Sequence, residues 1–253
     1  MLSPHIIGQG LVVEFPLFDN AHRSLKKAVI RAATGGRFAQ DAGNHLVVRA
    51  LDNLNFECRE GDRIGLVGHN GSGKTTLLRV LSGVFEPVRG HLEVQGRVSS
   101  ILDLSMGFDP DASGLENIFL RGVMLGMRPQ EIHARVNEIA EFSELGDYLH
   151  LPIRAYSSGM LLRLGFATST SIESEILLMD EWLSVGDAEF RDKASQRLED
   201  LANRAAILVL ATHDATLVDR ICNRVLRLEH GRIVEDVRKE PMQDVQAAKE
   251  DAV

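Results

Sequence analysis

The segment GHNGSGKT, from Gly68 to Thr75, is the strongest indication of how this chain folds. It follows the apolar run RIGLV and precedes the helical pattern KTTLLRVL, so it fits G-x-x-x-x-G-K-[ST] between a strand and a helix. Glycines let backbone N–H groups approach phosphate oxygens, and a helix N-terminus attracts anions. A glycine-rich turn without a nucleotide is the alternative, and the strand–loop–helix context favours the phosphate site.

Two acidic residues follow a later apolar strand, ILLMDE, residues 176–181. In the phosphate loop, we expect Lys74 to reach the β- and γ-phosphates and Thr75 to ligate Mg²⁺. Asp180 would hold the same Mg²⁺ through water, and Glu181 would polarise an attacking water. The alternative is that both acids end a strand at a loop. The nucleotide-binding candidates in this loop are Gly68, His69, Asn70, Gly71, Ser72, Gly73, Lys74, Thr75 and Thr76.

Strands alternate with helices along the chain, which predicts an α/β layered fold. Strands are predicted by residues 6–15, LVVRALDNLNFE, RIGLVG, 91–103, EILLMD and AAILVLAT, with a closing hairpin around His230 and Gly231. Helical periodicity is present in residues 23–33, 115–127, 129–145 and 159–171. Glycine content predicts a loop over 34–45. The charged stretch after Val237 predicts disorder.

Composition is that of an ordinary globular protein: 253 residues, 44% hydrophobic and 25% charged. No apolar run reaches the roughly 20 residues of a membrane span, and no N-terminal secretion signal is present. Cys58 and Cys222 are far apart and fit no metal spacing, so we expect two buried thiols. The net charge of −8 disfavours a broad nucleic-acid surface, although residues 19–49 are locally basic.

These elements, with Tyr156-Ser157-Ser158-Gly159-Met160 between them, resemble the ATP-binding cassette (ABC) ATPases. The usual signature is L-S-G-G-Q, so Ser157 and Gly159 match and the other positions depart. Asp187 in SVGD resembles the D-loop of the family, and His213 in ATHD resembles its switch histidine. YSSGM, with PIR before it and WLSVGD after Glu181, looks like the polysaccharide and polyol-phosphate export subgroup, above all the O-antigen export ATP-binding proteins.

The resemblance implies a P-loop NTPase ABC cassette with a RecA-like core, an antiparallel β subdomain and a helical insertion. We expect the ATP-binding domain at 1–237, with the helical subdomain near 108–170, a basic N-terminal extension near 19–45, and a disordered tail at 238–253.

Two departures from the family pattern leave roles open. The family has a Gln before the helical insertion that contacts Mg²⁺ and water, but residues 96–129 contain no Gln. Asp103 or Ser105 is the nearest polar substitute. The aromatic residue that stacks on adenine is represented by Phe15 or Phe18, about 50 residues before Gly68, and ordinary core packing is the alternative for each.

The resemblance also implies how the protein works. Ser157 and Gly159 would touch the γ-phosphate bound by a second subunit, in a homodimer that closes over two ATP molecules. Lys74, Mg²⁺ and His213 would stabilise that phosphate, Glu181 would activate water, and Asp187 would couple the two sites.

The helical insertion would dock a transmembrane permease, beginning with Glu116, Asn117, Ile118, Phe119 and Leu120. The basic extension, with Arg23, Lys26, Lys27 and Arg31, would face anionic lipid headgroups or form a solvated surface.

The expected function is ATP hydrolysis that drives export of a lipid-linked, O-antigen-like polysaccharide, with ATP and Mg²⁺ as cofactors and no nucleic-acid partner. The protein would lie peripherally on the cytoplasmic face of the inner membrane. The alternative is the ATPase of another ABC transporter class, for teichoic acid, capsule or a small solute. A mechanical ATPase of DNA repair or translation and a regulator without turnover fit the sequence less well.

Overall fold

The computed structural model describes residues 3–16, 38–40, 46–104, 106–181 and 188–239. A six-stranded sheet has the order β10-β9-β4-β8-β7-β6. It is parallel from β9 to β6, and β10 pairs antiparallel with β9. Its strands are β4 (Arg63–Val67), β6 (Val98–Ile101), β7 (Ile176–Asp180), β8 (Ile207–Ala211), β9 (Arg224–Glu229) and β10 (Arg232–Arg238).

A second sheet is antiparallel and has the order β2-β3-β1-β5. Its strands are β1 (His5–Pro16), β2 (Phe38–Gln40), β3 (Leu46–Arg59) and β5 (Arg89–Gln95). The backbone of β3 also contacts the β9–β10 turn, because Asp52 N–H donates to Gly231 O at 2.8 Å. This contact holds the second sheet beside the first.

The helices are α1 (Lys74–Leu81), α2 (Gly114–Met124), α3 (Pro129–Ser143), α4 (Ser158–Ser169), α5 (Ala188–Arg204) and α6 (Ala215–Ile221). Short 3-10 turns at Gly146–His150 and Ile153–Ala155 connect α3 to α4. Helices α2, α3 and α4 pack on one another around a core of their own that includes Ile118, Ile132 and Leu164.

The central strands β7 and β8 of the six-stranded sheet are buried on both faces, as expected for a parallel sheet. In β7, Ile176 and Leu178 face one core with α1 and the antiparallel sheet, whereas Leu177 and Met179 face another with α5 and α6. The alternation follows from the two-residue period of a strand. Apolar packing on both faces fixes the edge of the sheet where β4, β7 and β8 end.

Three sequence predictions need correction. Residues 38–40, placed in a loop because of the neighbouring glycines, form β2 and pair with β3. Residues 91–103 contain two strands in different sheets, β5 and β6, which Gly96 separates at a φ of 120°. Strand β10 continues past Val237 to Arg238, which pairs with Arg224, so the ordered domain extends beyond its predicted end.

Several predictions lie outside the described residues. These are the helix at 23–33 with its basic side chains, Phe18, Ser105, Asp187 and the tail from 240 onward. They stay predictions.

Candidate nucleotide site

The glycine-rich loop lies between β4 and α1, where the sequence predicts it. Gly73 has a φ of 115°, and a Cβ at this position would come within 2.9 Å of Ala50 O on β3. Both facts require glycine, because L side chains rarely adopt this φ. Ser72 O also accepts a hydrogen bond from Gly231 N–H at 2.8 Å. The loop is therefore held between β3 and the β9–β10 turn.

Lys74 is the first residue of α1, and its ammonium points back over the loop. Its Nζ donates to Gly68 O at 2.8 Å and to His69 O at 3.4 Å. The next residue, Thr75, donates from Oγ1 to Asp180 Oδ2 at 2.7 Å. This bond joins α1 to the end of β7 across 105 positions of sequence. The two elements that the motifs single out thus meet at one place.

Glu181 follows Asp180 in a left-handed backbone conformation, with a φ of 66°. Its N–H donates to Ala211 O at 2.7 Å, which aligns it with the end of β8. Its carboxylate accepts from His213 Nδ1 at 2.9 Å and from Thr212 Oγ1 at 3.2 Å. A non-glycine residue at positive φ costs about 1–3 kcal/mol, and such strain is concentrated at functional sites. Here the strained backbone conformation fixes the direction of the Glu181 carboxylate.

A pocket of about 450 Å³ lies over these groups. Its lining residues are Val48, Arg49, Ala50, Asn70, Gly71, Gly73, Lys74, Thr75, Thr76, Asp180 and Glu181. The wall formed by residues 48–50 of β3 carries no recognisable motif, so the sequence alone did not indicate it. Phe15 is not among the lining residues. It lies opposite Val48 in the β1–β3 register, and its ring packs edge-on against Phe85 at 5.2 Å.

Ser72 is the only described residue with a buried side-chain oxygen or nitrogen that lacks a hydrogen-bond partner. Its neighbours Gly71 and Gly73 line the pocket. An unsatisfied buried hydroxyl costs about 1–3 kcal/mol, so it calls for a functional explanation. Ser72 itself is outside the lining of the pocket. The helix N-terminus at Lys74 and the ammonium over the loop fit an anionic ligand such as a phosphate chain.

His69 lies at the outer side of the loop, with its ring 5.1 Å from that of His230 in the β9–β10 turn. It is exposed and does not line the pocket, and the same is true of His213, whose side chain is 83% exposed. His213 nevertheless reaches the site through its bond to Glu181.

Ser157 and Gly159 are outside this pocket. Ser157 caps α4, because its Oγ accepts from Met160 N–H at 3.2 Å, and Gly159 lies in the first turn of the same helix. Within the chain they therefore contribute only a helix N-terminus at the surface. Asp103, a candidate for the role of the absent Gln, lines a different groove with Arg121 and Met124.

Thr212 is a site residue that the motif analysis missed. It is 1% exposed, accepts from Asp214 N–H at 3.1 Å and donates to Glu181. Asp214 caps α6, and hydrogen bonds from Thr216 and Leu217 lower the pKa of its carboxyl. The position of Thr212 directly before His213, at the end of β8, was the signal that the sequence offered for this role. Its partner Glu181, however, is 31 residues away in sequence.

Comparison with known proteins identifies the family. Residues 51–184 match the ABC transporter family. The chain belongs to the ABC transporter family.

The chain is 43% identical to the O-antigen export system ATP-binding protein RfbE of Yersinia enterocolitica, over 91% of this chain and 97% of that protein. It is 41% identical to RfbB, of the same description, from Klebsiella pneumoniae, over 92% and 94%. The teichoic acids export ATP-binding protein TagH of Lactococcus lactis is 38% identical, over 73% of this chain and 39% of that protein. The predicted resemblance to polysaccharide-export ATP-binding proteins is confirmed.

A dimeric structure of the ATP-binding cassette MJ0796 in a post-hydrolysis state, bound to ADP and Pi, superposes with a TM-score of 0.66. The two are 18% identical, and the match covers 93% of this chain and 99% of that one. The predicted ABC cassette fold is confirmed, and this chain is an ATPase of the family. Within the described residues, no helix is both long and apolar enough to cross a membrane.

Proposed function

We propose that this chain is the ATP-hydrolysing subunit of an exporter that moves a lipid-linked, O-antigen-like polysaccharide across the cytoplasmic membrane. It works as a homodimer with a separate transmembrane permease, on the cytoplasmic face of that membrane. The observation that carries the proposal is the pairing of Thr75 with Asp180 and of His213 with Glu181 around one pocket. The names of the relatives support the polysaccharide.

Lys74, Glu181 and His213 each have a separate role in ATP hydrolysis. Lys74 exchanges its carbonyl partners for the β- and γ-phosphates, and the backbone of the loop binds the remaining oxygens. Glu181, oriented by Thr212 and His213, accepts a proton from the attacking water. His213 contacts the γ-phosphate from its exposed imidazole edge. Thr212 and His213 already hold the Glu181 carboxylate in this structure, and such preorganisation keeps the reorganisation cost low.

Magnesium fits the two oxygen ligands offered by Thr75 on α1 and Asp180 at the end of β7. Mg²⁺ prefers carboxylate, hydroxyl and water oxygens, and Thr75 Oγ1 lies 2.7 Å from Asp180 Oδ2. When bound, Mg²⁺ neutralises the charge on the β- and γ-phosphates.

The signature segment, Tyr156 to Met160, supports the dimer. Ser157 and Gly159 are at the N-terminus of α4, where free N–H groups and the helix dipole favour an anion. No described residue of the nucleotide pocket comes from this segment. A γ-phosphate on a second subunit supplies the anion, and the dimer opens when hydrolysis removes it.

Apolar side chains around the groove between α1 and α2 form the docking surface for the permease. Val84, Met106 and Met124 line this groove of about 250 Å³ and are 61%, 54% and 66% exposed. Of the expected docking residues on α2, Asn117 and Ile118 are buried, whereas Glu116 and Leu120 are exposed. A cluster of exposed apolar groups is typical of an interaction surface.

Teichoic acid is the second candidate cargo, because the TagH relatives of Lactococcus lactis and Bacillus anthracis are 38% and 37% identical to this chain. The higher identity and the fuller coverage of the O-antigen export proteins favour the first.

The test compares the wild type with Glu181→Gln, and with Glu141→Gln as a control at an exposed site on α3. Phosphate release and light scattering are measured with Mg-ATP. We expect wild type and control to turn over, and Glu181→Gln to lose about 1,000-fold in kcat yet form an ATP-bound dimer. A Glu181→Gln protein that hydrolyses ATP normally, or never dimerises, contradicts the mechanism.

A second experiment tests the cargo. Lys74→Ala, expressed in place of the wild type in cells that make the polymer, should abolish surface polysaccharide while lipid-linked polymer accumulates inside. Normal surface O-antigen together with a loss of surface teichoic acid would transfer the proposal to the second cargo.

A further inference from the structure

Arg121 on α2 is a charged side chain inside the protein. It is 4% exposed, and arginine is rarely buried unless its donors are satisfied. Burial lowers the pKa of its guanidinium to about 10, and the nearby Asp103 carboxylate partly offsets this effect. The Phe108 ring lies 5.3 Å from its Cζ. A buried cation of this kind is costly, so the contacts that it makes are informative.

The guanidinium joins two segments that are far apart in sequence. Ser169 is the last residue of α4. Its Oγ accepts hydrogen bonds from Nε and Nη2 of Arg121 at 3.3 and 2.9 Å. Arg121 Nη2 also donates to Asp103 O at 2.8 Å, and Arg121 Nη1 donates to Met106 O. One planar group thus ties the connection that follows β6 to the C-terminal end of α4.

A second contact fastens the same connection to α4. A Cβ on Gly165 would lie 2.0 Å from Leu104 O, so only glycine permits this approach. Leu104 is buried with Phe166 in one core. Asp103, Leu104 and Met106 are therefore held to helix α4 at Gly165 and, through Arg121, at Ser169.

The connection after β6 and helix α4 lead to two different functional surfaces. Asp103, Met106 and Arg121 line the groove of about 250 Å³ that we assign to the permease. Helix α4 begins at the other end with Ser157 and Gly159. Helix α4 therefore connects the segment that lines the groove with the signature segment.

We propose that Arg121 is a positioning residue that locks the connection after β6 onto α4, and so sets where Ser157 and Gly159 stand. The inference rests on the proposed function, because it assumes that the signature segment acts on ATP in a second subunit. An arginine of the helical part holds the connecting segment through the backbone carbonyls of Asp103 and Met106.

The test compares Arg121→Gln, Arg121→Lys and the control Arg128→Gln, whose side chain is 79% exposed on the wild-type surface. In Arg121→Gln we expect kcat to fall about tenfold while the KM for ATP stays within about twofold, because the nucleotide pocket is untouched. Arg121→Lys should recover part of kcat, since an ammonium still donates to the carbonyls but cannot bridge them to Ser169.

Dimerisation gives a second readout. In a Glu181→Gln background, Arg121→Gln should weaken the ATP-dependent dimer about tenfold by light scattering. Arg128→Gln should match the parent in both assays.

A purely structural role makes a different prediction. Activity would then fall only with the folded fraction, and kcat per nucleotide-binding site would equal that of the control, which would overturn the proposal. If Arg121→Gln does not fold, Ser169→Ala removes one acceptor only, and we expect about a threefold loss of kcat at constant KM. Unchanged kcat in Ser169→Ala would also overturn it. Failure of the wild type to dimerise with ATP would refute the proposed function instead.

Discussion

Two groups of charged side chains in this protein have similar composition but different surroundings. The Asp62 cluster consists of Asp62, Arg224, Asp236 and Arg238. The nucleotide pocket contains Lys74, Asp180, Glu181 and, beside it, His213. In the Asp62 cluster, Arg224 donates to Asp62 at 3.1 Å and to Asp236 at 2.7 and 2.6 Å, and Arg238 donates to both oxygens of Asp62.

The Asp62 cluster satisfies its own charges. The side chains of Asp62 and Arg224 are 4% and 7% exposed, and the cluster ties β9 and β10 to the residues before β4. The outer members of the cluster, Asp236 and Arg238, are 42% and 61% exposed.

The pocket pair of Glu181 and His213 is 43% and 83% exposed, so neither of its members is buried as Asp62 and Arg224 are. The buried ion pair of the Asp62 cluster stabilises the fold, whereas the charged groups of the pocket are accessible to a ligand.

The largest effect that we expect from this comparison is at the pocket. Lys74→Ala should reduce kcat/KM for ATP about 1,000-fold, because it removes the donor aimed at the β- and γ-phosphates. Its free energy of unfolding should stay within about 1 kcal/mol of wild type, since Lys74 contacts only two carbonyls. Steady-state kinetics and urea unfolding measure the two quantities, with Lys193→Ala as the control.

Asp62→Ala should have the opposite profile. It leaves Arg224 buried without one carboxylate, so we expect a loss of about 3 kcal/mol in the free energy of unfolding. The kcat of the folded protein should be unchanged. Glu173→Ala removes an exposed ion pair with Arg135 and should cost less than about 1 kcal/mol. A fall in kcat for Asp62→Ala at full folding would show that the two clusters are not independent.

A smaller effect should appear in the pH dependence of stability. Hydrogen bonds from Arg224 lower the pKa of Asp236 from its ordinary 3.8. The stabilisation is therefore present above pH 3.8 and is lost as the pH falls through the lower pKa of the folded state. Asp236→Asn should be less stable than wild type at pH 7. The difference between their free energies of unfolding should shrink as the pH falls below 3.8. A difference that stays constant down to pH 2 would contradict this assignment.

The smallest effect concerns the thiols. Burial raises the pKa of Cys58 to about 12 and that of Cys222 to about 11, and the two are 1% and 5% exposed. Because the thiolate is the reactive form, neither should react with an aromatic disulfide reagent at pH 8 in the native protein, and both should react in denaturant. Rapid labelling of the folded protein would show that one of these sites opens.

The cysteines show how far composition alone can go, since their predicted burial is confirmed. Local sequence patterns also predicted strands β7 and β8, because the five residues of each strand are contiguous and alternate between two cores. They did less well at β2, because the glycines around Phe38 favour a loop and only pairing with β3 makes these residues a strand.

Short motifs of adjacent residues were enough to predict the phosphate loop, the acidic pair at the end of β7, the family and its fold. Which partners meet at the site could not be predicted in this way. The bond from Thr212 to Glu181 and the buried bonds of Arg121 join positions between 15 and 48 residues apart. The wall of residues 48–50 lies on a strand without a motif. Such contacts are set by how the sheets and helices pack, and packing is a property of the whole chain.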